Sequence, residues 1–320
     1  MADPSLNLAR LIRKEAARLG FAAIGFSSPV PQPVAVQRYT AMIREQRHGE
    51  MSYMERHMEE RANPGMLLPG LQTIISAAIS YHYPVSYGVG LPKISKYALI
   101  DDYHHVLRTK LEELLAAITM LVEGPLHASI TVDSSPLLEK GWAEEAGIGK
   151  TGKNTLLKVP SAGSYVFLGE ILVDREIRSA TIPLPNYCGS CSNCLEHCPT
   201  GALLEPGKID ASKCISYLTG ELKREFTAEE AAMIGDWLFG CDLCQEVCPH
   251  NLQASIAAHE SFAVRKNLIG ITTEMVLDLT KSGFRDLFYG TPIFRIGLRR
   301  LKRNARAVAE NLKKAEEKEN

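Results

Sequence analysis

The residues best suited to metal or redox chemistry are the eight cysteines, all of which lie between positions 188 and 248. The first group has the spacing C-x2-C-x2-C-x3-C-P and consists of Cys188, Cys191, Cys194 and Cys198. The second group has the spacing C-x2-C-x3-C-P and consists of Cys241, Cys244 and Cys248. It repeats the first group without its first cysteine, and Cys214 is the one thiol left to fill that place.

This spacing is typical of proteins that bind two 4Fe–4S clusters, in which three close thiolates bind one cluster and the fourth binds the other. We therefore predict crosswise ligation. Cluster one is assigned to Cys188, Cys191, Cys194 and Cys248, and cluster two to Cys198, Cys214, Cys241 and Cys244. A zinc ribbon, the alternative, would pair two C-x2-C knuckles and would not need the remaining thiols or both C-P dipeptides.

Three weaker signals lie outside the cysteines. Asp133 follows a predicted strand, where it either caps the next turn or delivers a proton in a pocket that raises its pKa. His104 and His105 begin a predicted helix, and a structural role is favoured because Leu107 replaces the glycine of the D-x-H-x-x-G cobalamin motif. The segment "GIGKTGK" follows a helical stretch, which disfavours a dinucleotide site; its glycines are expected to let backbone amides approach a ligand.

A basic run extends from Arg295 to Arg306 and contains six arginines and lysines with little acid between them. Such a run forms either a solvated helix face or a nucleic-acid surface. The formal net charge of the 320 residues is −1. Any contact with a polyanion must therefore come from a local patch rather than from the overall charge.

The sequence has no apolar run near the roughly 20 residues of a membrane helix. Its first residues contain neither an apolar signal core nor a twin-arginine pair. We therefore expect a cytoplasmic protein, in which thiols stay reduced and a cysteine cluster favours metal binding over disulfides.

The elements that must position these residues follow from hydrophobic periodicity and turn residues. Helices are predicted at 6–20 and 101–124, and buried strands at 73–83, 127–136 and 164–174. This mixture indicates an α/β or α+β domain, followed after residues 183–187 by the cysteine module and a helical, basic segment. The predicted domains are 1–175, 176–255 and 256–320.

Taken together, these segments resemble the epoxyqueuosine reductase family. The resemblance rests on "YMERH", "KISKYALIDDYHHVLRTKLEEL", "VDSSPLLEKGWAEEAGIGKTGKNTLL", "FLGEILVD", "CISYLTGELK", "FGCDLCQEVCPHN" and the two cysteine groups. It implies an α+β protein in which a nitroreductase-like α/β cobalamin-binding domain precedes a two-cluster ferredoxin-like domain and a helical, HEAT-like segment. Many relatives continue into a longer helical-repeat tail, so a chain that stops at Asn320 is expected to be either a short form or a truncated one that lacks part of the tRNA-binding surface.

The resemblance also implies the reaction. The epoxide of epoxyqueuosine, at the wobble position of tRNA, is reduced to the alkene of queuosine by two electrons and two protons. Cobalamin, in its cob(II)alamin resting state, would be reduced through the clusters. Asp133 matches the proton donor of the family, and the implied cobalamin contacts are His57, Tyr97, Asp133, Lys153, Ser216 and Asp242.

The implied partners are a tRNA and an external low-potential electron donor, with the protein acting as a monomer away from membranes. The expected tRNA contacts are Lys223, Arg224, Arg299, Arg300 and Arg303. Two other functions fit part of this pattern. A corrinoid reductive dehalogenase shares this layout but usually carries a twin-arginine signal, and an iron–sulfur electron carrier would bind no corrinoid.

Overall fold

The computed structural model describes residues 4–180, 184–257, 262 and 264–319. The strands are β1 (Ala23–Ser27), β2 (Thr73–Ser80), β3 (Lys93–Ile94), β4 (Ala128–Thr131), β5 (Lys150–Thr151), β6 (Leu157–Lys158), β7 (Val166–Val173), β8 (Leu203–Glu205), β9 (Lys208–Ile209) and β10 (Trp237–Phe239). The α-helices are α1 (Pro4–Arg18), α2 (Pro33–Arg44), α3 (Met58–Ala62), α4 (Tyr103–Leu121), α5 (Glu139–Glu145), α6 (Asn193–Glu196), α7 (Ile215–Gly220), α8 (Ala228–Met233), α9 (Leu243–Glu246), α10 (Pro249–Leu252), α11 (Thr273–Asp278), α12 (Lys281–Phe288) and α13 (Gly297–Glu319).

The N-terminal part is built on a four-stranded antiparallel sheet in the order β1-β2-β7-β4. Successive side chains of a strand point to opposite faces. Ile75 and Ile79 of β2 therefore pack with α1 and α4, whereas Ile74 lies on the other face with Trp142 of α5. Helices on both faces explain why β2 is buried along almost its whole length. Of the two classes that the sequence left open, this antiparallel sheet corresponds to α+β.

Close packing of α4 on the sheet depends on a glycine. A Cβ atom at Gly169 of β7 would lie 2.7 Å from Cδ1 of Leu111 on α4, which is too close for any side chain. Helix α4 begins at Asp102, whose carboxylate accepts the backbone N–H of His104, a cap that satisfies one of the unpaired donors of the first turn. This contact places the start of α4 at the end of the sheet where β4 finishes.

The cysteine module contains two similar halves. Helices α6 and α9, each of four residues, hold Cys194 and Cys244 at equivalent positions of the two cysteine groups and pack against each other. Strand β10 pairs in parallel with β3, which joins the module to the N-terminal part. The predicted boundary at 183–187 begins at residue 183, which lies outside the described residues.

The C-terminal helix α13 packs on the cysteine module rather than extending from it. Val308 lies in a cluster with Leu218 and Trp237, all buried. The fully buried Asn304 donates hydrogen bonds from Nδ2 to the carbonyls of Thr219 and Leu238. Within the described residues, every helix is too short or too polar to cross a bilayer.

Candidate functional site

A cavity of about 300 Å³ lies where the N-terminal part, the cysteine module and the C-terminal helices meet. Asp133, on the loop after β4, lines one side of this cavity, which we call the central cavity. Cys214, one of the ligands predicted for cluster two, lines it as well. A candidate acid and a thiol of the redox module therefore face the same space.

Asp133 is held in an unusual conformation. Its φ of +52° lies in the left-handed region, which non-glycine residues rarely adopt. Its backbone N–H donates to Oε1 of Glu139 at 2.7 Å. Its Oδ2 lies 2.8 Å from Nε2 of His104, and its side chain remains 55% exposed. The loop is therefore fixed at two points while the carboxylate stays accessible from the cavity.

His104 connects Asp133 to a second carboxylate. Its Nδ1 lies 2.8 Å from Oδ1 of Asp102, whose other oxygen accepts a hydrogen bond from Nε of Arg295 at 3.0 Å. Burial lowers the pKa of His104, but the hydrogen bonds to Asp102 and Asp133 outweigh it and raise the pKa overall. The hydrogen bond from His104 lowers the pKa of Asp133 against the opposing effect of burial. Both pKa shifts favour the form in which the imidazole is protonated and the Asp133 carboxylate is ionised.

Two buried carboxyl groups lie behind the Asp133 loop. Burial, together with the charge of Asp133, raises the pKa of Glu139 to about 7. Burial raises the pKa of Glu170 on β7 well above its usual value, and Oε2 of this residue accepts a hydrogen bond from Thr131 at 3.1 Å. Oε1 of Glu170 has no hydrogen-bond partner among the described residues. Glu139 is thus the link between the sheet core and the Asp133 backbone.

The four thiols predicted for cluster one surround a second cavity of about 190 Å³. Within the described chain, no three histidine, cysteine or acidic residues lie close enough to hold a single metal ion. A cubane does not need such a point, because each thiolate binds a different iron atom. The backbone N–H of Lys153, the last residue of the segment "GIGKTGK", donates to Sγ of Cys188 at 3.4 Å. This contact is the close amide approach that the glycines suggested.

The four thiols predicted for cluster two are also neighbours. Burial, together with the charges of Cys214, Asp242 and other nearby thiols that include Cys198, raises the pKa of Cys244 to about 12. Burial and Cys214 likewise raise the pKa of Cys241. Thiols that repel one another in this way become good ligands once a cationic iron centre stabilises their thiolates. The donor sets therefore fit two clusters with crosswise ligation.

Three of the six residues proposed to contact cobalamin line the central cavity: Tyr97, Asp133 and Ser216. Asp242 does not; it is 1% exposed and accepts hydrogen bonds from Oγ of Ser95 and the backbone N–H of Lys96, which holds the turn before Tyr97.

The other two residues lie apart from this cavity. His57 forms an exposed pair with Glu60 at 2.9 Å. Nζ of Lys153 donates to the carbonyl of Cys191 at 2.7 Å, beside the predicted cluster one. Lys153 is therefore placed to support the cluster-one loop rather than to line the central cavity.

Comparison with known proteins identifies the family. Residues 187–251 match a family model described as "4Fe-4S double cluster binding domain", and residues 61–134 match "Epoxyqueuosine reductase QueG, DUF1730". The epoxyqueuosine reductase of Cellulophaga algicola is 36% identical over 294 residues, which cover 92% of this chain and 95% of that protein. This chain belongs to the epoxyqueuosine reductase family.

Solved structures of epoxyqueuosine reductases agree. A crystal structure of the selenomethionine-labelled enzyme matches with a TM-score of 0.90 at 28% identity, covering 98% of this chain and 84% of that one. A crystal structure with an epoxyqueuosine-modified tRNA-Tyr stem loop matches with a TM-score of 0.87 at 28% identity, covering 97% and 82%. The predictions of an oxidoreductase and of two 4Fe–4S clusters are confirmed, and the family decides against the dehalogenase and the electron carrier.

Two of the basic residues predicted for tRNA binding, Lys223 and Arg299, lie side by side on the surface. Nη2 of Arg299 on α13 donates to the carbonyl of Lys223, so the two basic segments meet. Both side chains are exposed. Arg299 also lies 3.8 Å from a carboxylate oxygen of Glu225, and Arg224 is held more closely, by carboxylate oxygens of Glu50 and Glu230 at 2.9 and 2.7 Å.

Two of the predicted arginines have structural contacts instead. Arg303 is only 3% exposed; its guanidinium donates to the carbonyls of Leu218 and Leu222 and lies 3.9 Å from the ring centroid of Phe226. Arg300 is partly buried and donates to the carbonyls of Gly220 and Ile296. In this arrangement Arg303 is not available to a phosphate, because its burial against the 218–226 segment excludes a large ligand.

The prediction for Glu139 follows from its contact with Asp133. Glu139→Leu should reduce turnover of epoxyqueuosine by roughly 10- to 100-fold, because losing the acceptor frees a strained loop that must place Asp133 accurately. Steady-state kinetics on the modified tRNA, with cluster and corrinoid spectra recorded alongside, measure this effect. Glu139→Gln keeps an oxygen acceptor and should retain most of the turnover. Full turnover in the leucine variant would show that the loop needs no such support.

Proposed function

We propose that this protein reduces the epoxide of epoxyqueuosine in the anticodon loop of tRNA to the alkene of queuosine, with cobalamin and two 4Fe–4S clusters as cofactors. The observation that carries this proposal is the central cavity, which brings Asp133 and a cluster-two thiol, Cys214, to one space. Reduction of an epoxide to an alkene consumes two electrons and two protons and releases one water. The cavity brings a candidate proton donor close to a ligand of an electron-transfer cluster.

The lining of the central cavity would hold part of a corrinoid. His104 is the one histidine that lines it among the described residues, and both its ring nitrogens face carboxylates. It is therefore engaged and does not compete for the metal. When bound, cobalamin supplies strongly reducing cobalt chemistry that protein side chains cannot provide. Tyr97 and Ser216, which hydrogen-bond to each other, would orient it from the cavity wall.

Proton delivery is the task of the chain's own residues. Breaking a carbon–oxygen bond of the epoxide leaves negative charge on oxygen, which a positioned acid stabilises by protonation. Asp133 is the accessible end of the Asp102–His104–Asp133 chain, with its Oδ2 facing Nε2 of His104, so a proton held by His104 passes through the Asp133 carboxyl group to the substrate oxygen. Because the paired carboxylates raise the pKa of His104, this proton remains bound at a higher pH than on an isolated histidine.

The exposed basic surface formed by Lys223 and Arg299 is proposed to contact the RNA backbone. Glu221 and Arg295, which line the central cavity, precede Lys223 and Arg299 by two and four residues in the chain. A wobble base must leave the stack of the anticodon loop to reach a cavity, and proteins secure such bases by binding the flanking phosphates with cations.

Reversing the charge of this surface should weaken RNA binding. In the double variant Lys223→Glu and Arg299→Glu, affinity for an epoxyqueuosine stem loop should fall. The slope of the logarithm of the binding constant against the logarithm of salt concentration should become shallower by about 0.7 for each phosphate that is no longer neutralised. Fluorescence anisotropy over a series of salt concentrations measures both. The double variant Lys313→Glu and Lys314→Glu is the matched control, since it makes the same charge change at exposed positions of α13 about 21 Å or more from Arg299. Equal affinities in the two double variants would place the RNA elsewhere.

The cofactor part of the proposal has its own test. Protein purified without oxygen and incubated with cob(II)alamin should retain the corrinoid through gel filtration, with a spectrum that changes when a modified stem loop is added. Retention of the corrinoid with no response to the stem loop would contradict a shared site. A Ser216→Trp variant, which fills the cavity wall, should lose the corrinoid while retaining iron.

A further inference from the structure

Lys158 of β6 is a buried cation beside the predicted cluster one. It is only 4% exposed, and its Nζ donates to Sγ of Cys188 at 3.0 Å. Cys248, another ligand predicted for the same cluster, also interacts with this ammonium group. Gly152 provides the space, because a Cβ atom there would lie 2.8 Å from Nζ.

The charge of Lys158 has no counter-ion other than these thiols in the described part of the chain. No carboxylate there forms an ion pair with it, and it interacts electrostatically with the thiols of Cys188 and Cys248. Burying an unpaired ammonium group is costly, so the group that balances it must be a negative one at the thiols themselves. A 4Fe–4S cluster with four thiolates is such a group, because its net charge is negative.

A cation near a cluster stabilises its reduced form more than its oxidised form, since reduction adds one negative charge. Net charge and hydrogen bonds to the sulfurs are among the factors that set the potential of such a cluster. Lys158 provides both at once. In the described residues, no lysine or arginine side chain donates a hydrogen bond to a sulfur predicted for cluster two.

We propose that Lys158 sets the reduction potential of cluster one, raising it relative to cluster two, so that cluster one stores the incoming electron. Cluster two, whose Cys214 lines the central cavity, is then the stronger reductant of the two. One electron moves from an external donor to cluster one and on to cluster two, and no bond is made or broken. The inference depends on the double-cluster domain and not on the identity of the substrate, so the two can fail separately.

The test is a redox titration of the two clusters by electron paramagnetic resonance, in protein purified without oxygen. Lys158→Met should lower the midpoint potential of cluster one by about 59 mV or more, a tenfold change in the ratio of reduced to oxidised cluster for one electron. The midpoint of cluster two should stay unchanged. A Cys191→Ser variant, which lacks cluster one, identifies the signals.

Lys150 offers a matched control. It is the cross-strand partner of Lys158 in the β5–β6 pair, but it is exposed and forms an ion pair with Glu144 at 2.9 Å. Lys150→Met therefore removes the same charge from the same two strands and should leave both midpoints in place. Lys158→Arg keeps the charge and should restore most of the potential.

The folding risk is addressed by Lys158→Gln, which keeps a hydrogen-bond donor without the charge. If Lys158→Met loses cluster one, the glutamine variant provides the test instead. The midpoint potential of its cluster one should fall, while that of the arginine variant should stay near the parent value. An unchanged midpoint in an iron-complete methionine or glutamine variant would overturn the proposal. Loss of cluster one from all three variants would also overturn it, in favour of a purely structural role.

Discussion

Replacing Asp133 by asparagine should lower turnover by about 10² or more, the usual scale for losing a general acid. The asparagine cannot pass a proton from His104 to the substrate oxygen, although it fills the same space and can still face Nε2 at the position of the carboxylate. Corrinoid binding and both cluster spectra should be unchanged, because no predicted cluster ligand contacts Asp133. Single-turnover measurements on the modified stem loop separate this chemical step from RNA release.

A second aspartate–histidine pair supplies the control for this prediction. Asp174, directly after β7, lies 2.6 Å from Nδ1 of His127 and does not line the central cavity. Asp174→Asn removes a similar carboxylate and should leave turnover near the parent value. If Asp133→Asn turned over substrate as fast as Asp174→Asn, Asp133 would serve only to shape its turn.

Replacing Cys214 by serine should remove cluster two, halve the iron content and abolish turnover. Cys214 lies 16 residues from Cys198 and 27 from Cys241 along the chain, yet it is buried close to these thiols. Serine is a poor ligand for this soft iron–sulfur centre, whereas cluster one takes none of its ligands from this position. Iron analysis and paramagnetic resonance of the dithionite-reduced protein measure the outcome.

Cys191→Ser is the matched variant for the other cluster. It should remove cluster one, spare cluster two and stop electron supply from an external donor. Loss of both clusters in both variants would mean that the module folds only as a unit. An intact pair of clusters in Cys214→Ser would refute the crosswise assignment.

Much of this site could be predicted from local sequence. Cysteine spacing points to seven candidate ligands, since ligation of two cubanes imposes a short, regular pattern, and Cys214 follows as the one remaining thiol. The long strands and helices were also predictable: β2 at 73–80 and α4 at 103–121 fall inside the predicted 73–83 and 101–124. The helical period identifies α4, whereas β2, which is buried on both faces, is recognised by its length and its β-branched residues.

The rest depends on contacts between residues far apart in the chain. The sequence favours a structural role for His104, but this residue faces Asp133, 29 residues away, because α4 begins at the end of the sheet where β4 finishes. The basic run predicts that Arg303 contacts RNA, although α13 orients the side chain of this residue toward buried backbone carbonyls. Composition cannot distinguish the inner from the outer arginines of a helix that is covered on more than one side.

The most direct test of the proposed epoxide reduction is the fate of the substrate oxygen. The anaerobic protein, loaded with both clusters and cobalamin, is incubated with a low-potential donor and a stem loop that carries epoxyqueuosine, and the nucleosides are analysed by mass spectrometry. We predict loss of one oxygen atom, which gives queuosine with the parent protein and with Asp174→Asn but not with Asp133→Asn. Epoxyqueuosine recovered unchanged from the fully loaded parent protein would contradict it.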